Sequence, residues 1–318
     1  MNGSSSTPAT VEYKDRRLGL IVFGILELAV GALCAAMVPL SLLVLAVVPD
    51  SMDALNGREI ATVVTLYGAM ALMLVWLGIG SILCRRWART LLVILSWSWL
   101  LAGVLAMGFL AFFAHADSAR AVAGPVLWLA MAIAGIFCVV LPGAIALFYQ
   151  SRHVKATCEA RDPLVRWTDR CPLTVLTTSV WLGLGALWLL AQPLTYGSVV
   201  PMFGYLLTGT PATLTLLGCA AFGLCLTWGT YRLKVAAWWA TLAAFGLFSA
   251  STAITFTNID PVELYRQLGY SEEQIDQLRN LGLFTGKVMA WWTVAFFLLF
   301  VIYLVWIKKY FRRANAGG

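Results

Sequence analysis

Charge is scarce in this chain: only 12% of its 318 residues are Asp, Glu, Lys or Arg. Soluble domains carry about a quarter, and no water-soluble globule could hide the apolar surface that remains. Histidine is scarcer still. The two present, His115 and His153, fall in loops on opposite sides of the apolar runs described below, so no Ser–His pair can form at membrane depth. There is no H-E-x-x-H to set a metal and its base on one helix face, and no Gly-rich phosphate loop. There is no G-x-S-x-G nucleophile turn either. Aspartate is missing from every long apolar run, which removes a paired-aspartate site. The seven cysteines include no C-x2-4-C pair, so no zinc ligand set is expected, and no cofactor. None of them lies in an outer loop, so no structural disulfide is expected. These absences lean against an enzyme.

What the chain does have is apolar length. Hydrophobic residues make up 61% of it, gathered in runs long enough to cross about 30 Å of hydrocarbon. The runs are 18–47, 60–83, 88–114, 121–149, 173–192, 202–229, 235–257 and 284–307. They do not alternate as barrel strands do. The expected fold is all-α: a polytopic transmembrane helical bundle of about eight helices. Pro39 should kink the first. Gly209 and Pro211 interrupt the sixth, so 196–209 could be an outer bend and the span proper 210–229. The first run has a basic flank but is too long, and G-A-L-C-A-A-M too poor a cleavage site, for a signal peptide.

Seventeen of the 22 Lys and Arg fall on one side of this pattern, with Lys14, Arg85, Arg152, Arg232 and Lys308 among them. By the positive-inside rule that side is cytoplasmic, and both termini lie there. The net charge of +7 is thus a topology signal, its cations spread over short juxtamembrane segments. The expected partners are membrane lipids, including anionic headgroups at the cytoplasmic face, and not nucleic acid.

G-A-L-C-A-A-M-V-P-L (31–40) and G-A-L-W-L-L-A-Q-P-L (185–194) match with an offset of 154. R-R-W-A-R-T-L (85–91) and R-L-K-V-A-A-W-W-A-T-L (232–242) occupy corresponding places. The reading is a tandem duplication of four helices plus four. Four is even, so the repeats are parallel rather than inverted. The segments are then 1–17, a disordered cytoplasmic N-terminus; 18–149, the first repeat; 150–172, a cytoplasmic linker; 173–310, the second repeat with an outer helical hairpin at 260–281; and 311–318, a cytoplasmic tail. The linker V-K-A-T-C-E-A-R-D-P-L-V-R-W-T-D-R-C-P-L (154–173), with R-R-W-A-R after the second run, resembles a group of uncharacterised bacterial multi-pass integral membrane proteins. The resemblance implies a bacterial inner-membrane location and brings no function with it.

One charge sits where charge does not belong. Glu27, in G-I-L-E-L-A-V, lies nine residues past Leu18, ~13–14 Å into the membrane at 1.5 Å per residue. Glutamate is too short to reach water from there. Gly24, Glu27, Gly31 and Ala35 share a helix face, and a small-residue face is where another helix approaches. No Lys, Arg or His lies at that depth, so the carboxyl's partners must be hydroxyls, amides, carbonyls, indole N–H or water. Two readings stay open: a proton or cation site in a transport path, or a protonated carboxyl bonded between helices. Its counterpart in the second half is Trp181.

Two further groups qualify as candidates. Ser251 and Thr255 with Gln192 and Tyr196 could line a polar vestibule, or serve as small hydroxyls at helix contacts. The segment 258–283 carries two capped helices, with Asp260 and Pro261 opening one and Ser271 and Gln274 spaced as a capping box for the other. Their apolar faces, including Tyr265, Ile275 and Leu278, make a docking hairpin for an extracytoplasmic protein or lie on the membrane surface. Three functions follow: a non-catalytic binding or assembly component, which the sequence favours; a transporter or channel for a proton, ion or small solute using Glu27; and, least, a membrane enzyme acting on lipid.

Overall fold

The computed structural model describes residues 14–47, 57–114, 128–195, 197–268, 270, 272–280 and 285–316. Among them, eight helices are long and apolar enough to cross a membrane, and the protein is an all-α, multi-pass membrane protein. These helices are α1 Arg17–Val47, α2 Gly57–Ile82, α3 Arg86–Ala114 and α4 Trp128–Gln150. After a short helix α5 Arg152–Arg161 come α6 Leu173–Thr195, α7 Gly209–Tyr231 and α8 Val235–Asn258. Two short helices, α9 Pro261–Gln267 and α10 Glu272–Asn280, lead to α11 Gly286–Ala316. Pro39 and Pro193 lie inside α1 and α6, which continue on both sides of them. The disordered N-terminus expected over 1–17 lies outside the described residues as far as residue 13, as do the ends of the tail and of the outer hairpin.

The described chain forms two compact units. The first holds α1 through Cys34 and the stretch Met70–Arg170; the second holds Ala35–Ala69 and the chain from Cys171 onward. In the first unit glycines set the helix spacing. A Cβ on Gly24 would lie 2.8 Å from the carbonyl oxygen of Gly78, and one on Gly78 equally close to that of Gly24, so α1 and α2 touch backbone to backbone. Gly103 of α3 meets the backbone of Cys138 in the same way. Cys138 lies in a π-helical turn, Ile136–Val140, within α4.

The linker is folded rather than open. Ser151 caps α5, its Oγ accepting from the Val154 N–H at 3.3 Å. At the far end of α5, Asp162 is 1% exposed. Its carboxylate takes Nε and Nη2 of Arg166 at 3.0 and 2.7 Å and the backbone N–H of Arg86 at 3.3 Å. The linker is thereby pinned to the start of α3. A solvated ion pair would be expected from the sequence; the structure buries the acid instead.

In the second unit the sixth span begins later than the apolar run does. Val199–Met202 and Tyr205–Thr208 pair as an antiparallel hairpin, β1 and β2, and α7 starts at Gly209. Phe203 and Gly204, the two turn residues, both have positive φ, 45° and 91°. That is the twist a two-residue hairpin needs. Residues 197–208 thus form a bend ahead of the span, as expected, and the span itself begins at Gly209. Trp238, which sequence position assigns to the interfacial belt, is buried, and its indole N–H donates to the Leu304 carbonyl at 2.9 Å.

Candidate functional site

Glu27 is 7% exposed although it sits in a helix with lipid-type side chains on most of its surface. The close approach of α2 at Gly24 and at Gly31, where a Cβ would lie 3.0 Å from Val75 Cγ2, puts the intervening carboxyl against protein. Its partner comes from the end of α4. The Tyr149 hydroxyl lies 3.1 Å from Glu27 Oε1, and the tyrosine is fully buried. The same hydroxyl is 2.6 Å from Ser81 Oγ on α2, and Ser81 Oγ is 2.9 Å from the Leu20 carbonyl on α1. Three helices are thus tied by a row of four oxygens. Phe23 and Phe148 flank the tyrosine, with ring centroids 6.0 and 5.2 Å from its own. Among the described residues, Glu27 Oε2 has no hydrogen-bond partner. The row can bind, hold or pass hydrogen.

The second unit carries part of the same wiring at the offset of 154 noted above. Thr174 and Tyr303 lie 154 residues after Leu20 and Tyr149, and the Tyr303 hydroxyl donates directly to the Thr174 carbonyl at 2.6 Å. Trp181, 154 residues after Glu27, is 47% exposed. The turns before α3 and α8 also agree. Cys84 and Leu233 adopt φ of 53° and 56°. The N–H groups of Cys84 and Arg85 bond to Ser81 and Gly80, as those of Leu233 and Lys234 do to Thr230 and Gly229. Gly80 and Gly229 lie against Ala88 and Ala237.

The other candidates are placed differently. Ser251 and Thr255 are buried, and their hydroxyl oxygens accept the N–H groups of Phe203 and Gly204 at 2.9 and 3.0 Å. They form a seat for the hairpin turn. The Gln192 backbone carbonyl lies 3.3 Å from the Thr195 hydroxyl, and Tyr196 lies outside the described residues. In the pair of short helices Asp260 caps α9 through the Val262 N–H at 3.0 Å. Arg266 bonds Glu263 and Glu272, each at 3.0 Å, across to α10. Tyr265 stacks edge-on with Tyr270, and Ile275 is 1% exposed. The Leu278 side chain, Ser271 and Gly282 lie outside the described residues. In the linker, Cys158 and Cys171 are buried thiols.

Tyr149 and Ser81 were not singled out from sequence. A signal existed: Tyr149 and Tyr303, each near the end of an apolar run and 154 residues apart. No protein-family model, curated protein or solved structure matches the chain, so the site is read from its own geometry.

Proposed function

We propose that the chain is a non-catalytic protein of the bacterial inner membrane, with both termini cytoplasmic, that binds and passes a proton or small cation at Glu27. The observation that carries this reading is the carboxyl's unequal satisfaction: one oxygen is held by Tyr149, and the other is buried without a partner. Buried polar atoms left unpaired are uncommon in native interiors, and ionisable groups inside membranes mark ion and proton pathways. The reading takes the two halves as duplicated four-helix units, of which the first alone carries the acid. Reconstituted in liposomes with an internal pH dye, the wild-type protein should dissipate an imposed proton or cation gradient. Glu27→Gln should abolish that flux while leaving the protein folded. Unchanged flux would remove Glu27 from the mechanism.

A second reading is an assembly component that uses the outer hairpin. It is supported by the Arg266 cross-link, which fixes α9 against α10 while Glu273 and Asp276 stay at the surface. Deleting 260–281 should release a co-purifying extracytoplasmic protein and spare the flux; retention of every partner would count against docking there.

A further inference from the structure

We infer that the ligand of Glu27 is a proton, and that the site as built holds it: the side chain is a neutral carboxylic acid heading a one-way row of hydrogen bonds, Glu27 to Tyr149 to Ser81 to the Leu20 carbonyl. This rests on the site proposed above and narrows what it binds. Three close oxygen–oxygen contacts join the row: 3.1 Å between Glu27 and Tyr149, 2.6 Å between Tyr149 and Ser81, and 2.9 Å between Ser81 and the Leu20 carbonyl. Each contact needs one hydrogen. A tyrosine and a serine hydroxyl bring one each, and a backbone carbonyl brings none.

With Glu27 ionised, two hydrogens must serve three contacts. Tyr149 turns its hydrogen to the carboxylate. Ser81 then donates either to Tyr149 or to Leu20, and the contact it forsakes becomes two sets of lone pairs facing each other in a buried site. With Glu27 protonated, the third hydrogen is supplied. Glu27 donates to Tyr149, Tyr149 to Ser81, and Ser81 to the Leu20 carbonyl, whose second lone pair is free for it. Every contact is filled and all donors point the same way. The leftover Oε2 is then a neutral carbonyl oxygen rather than half of a buried carboxylate, which is far cheaper to leave unpaired.

A metal cation fits less well. Hard cations collect about six or more oxygens. The described residues bring four oxygens here besides the backbone carbonyl's second bond: two of Glu27, one of Tyr149 and one of Ser81, and the two hydroxyls are already joined to each other.

The experiment is infrared difference spectroscopy of the full-length protein in lipid nanodiscs at neutral pH. Subtracting Glu27→Gln from wild type should leave a carboxylic-acid C=O band that moves on exchange into heavy water; a carboxylate pair in its place overturns the proposal. Tyr149→Phe should keep the acid band and shift it to higher frequency, because the acid O–H loses its acceptor. Since this second difference needs only Tyr149→Phe and wild type, it stands even if Glu27→Gln fails to fold. A band unmoved by Tyr149→Phe, or moved as far by Tyr303→Phe in the second unit, overturns the row. Flux is read separately. An acid band with flux indifferent to Glu27→Gln would refute passage and uphold the bound proton; flux lost without an acid band would do the reverse.

Discussion

Replacing Asp162 by alanine tests whether the linker is part of the fold or merely a tether. Its carboxylate is 1% exposed and accepts two N–H groups of Arg166 and one from the Arg86 backbone, with Arg85 3.6 Å away. Hydrogen bonds to a charged partner contribute about 1.5–3 kcal/mol each. Arg166 and Arg85 are partly open to solvent, so the first pair is discounted and the second set near zero. The sum is about 3 kcal/mol for Asp162→Ala, at the lower edge of what breaking a buried pair costs. Asp162→Asn keeps an acceptor for the Arg86 N–H and should lose about 2 kcal/mol, the difference being one hydrogen bond. The Arg166 guanidinium, and then the Arg86 N–H, hold the Asp162 carboxyl below the usual carboxylate range. A lowered folded-state pKa means the contribution is complete above the ordinary value, near 4, and is lost as pH falls through it toward the folded one. Unfolding in mixed micelles, followed by tryptophan fluorescence, should therefore show wild type and Asp162→Asn well separated at neutral pH and converging below about pH 4. A loss of under about 1 kcal/mol for Asp162→Ala, or a separation that persists in acid, would refute the reasoning.

Gly103→Ala should destabilise the protein by several kcal/mol, because the new methyl meets the Cys138 backbone, which cannot swing aside; Gly68→Ala, with nothing within 4 Å, should change stability by well under 1 kcal/mol in the same unfolding assay. Ser251→Ala and Thr255→Val each strip an acceptor from the turn N–H groups of Phe203 and Gly204 and should each cost about 1–2 kcal/mol. Both changes should also speed proteolysis between β1 and β2. Burial pushes the Cys158 thiol up to about 12 and Cys171 up to about 11. Both should resist maleimide in the folded protein at pH 8 and react on unfolding, as read by mass spectrometry; full labelling of the native protein would contradict their burial.

The membrane helices were legible because each is a run of apolar residues as long as a bilayer is thick, and length and composition survive without tertiary information. The sixth was legible only in part. Residues 202–208 are as apolar as a span, and nothing in their hydropathy separates a strand from a helix start; the decision falls to Pro201 and to the Phe203–Gly204 turn. The burial of Asp162 was invisible for a different reason. In the sequence it is one acid among several bases, and its depth depends on where the start of α3 sits, over seventy residues earlier. Glu27 stood out since its surroundings in the chain are apolar. Its partner did not, because Tyr149 is 122 residues away and an aromatic at a span end looks like an ordinary interfacial anchor.

The two units differ most at Glu27. In the second unit the junction is built of hydroxyls and a carbonyl with no acid: Tyr303 and Thr178 both donate to the Thr174 carbonyl, at 2.6 and 3.2 Å. In the first unit Ser81 stands between Tyr149 and the Leu20 carbonyl, and Tyr149 meets a carboxyl as well. Were tying the first helix to the fourth the whole purpose, hydroxyls and a carbonyl would serve, as they do where Tyr303 and Thr178 meet Thr174. Taking a carboxyl into hydrocarbon costs several kcal/mol if it is charged, and leaving its second oxygen unpaired costs more. A group that is not needed to close the bundle, yet is placed where it alone completes the row of hydrogens, is best explained by the hydrogen it brings. The junction holds when that hydrogen is present and loses one of its three contacts when it leaves, so proton occupancy and the α1–α2–α4 contact are one event rather than two.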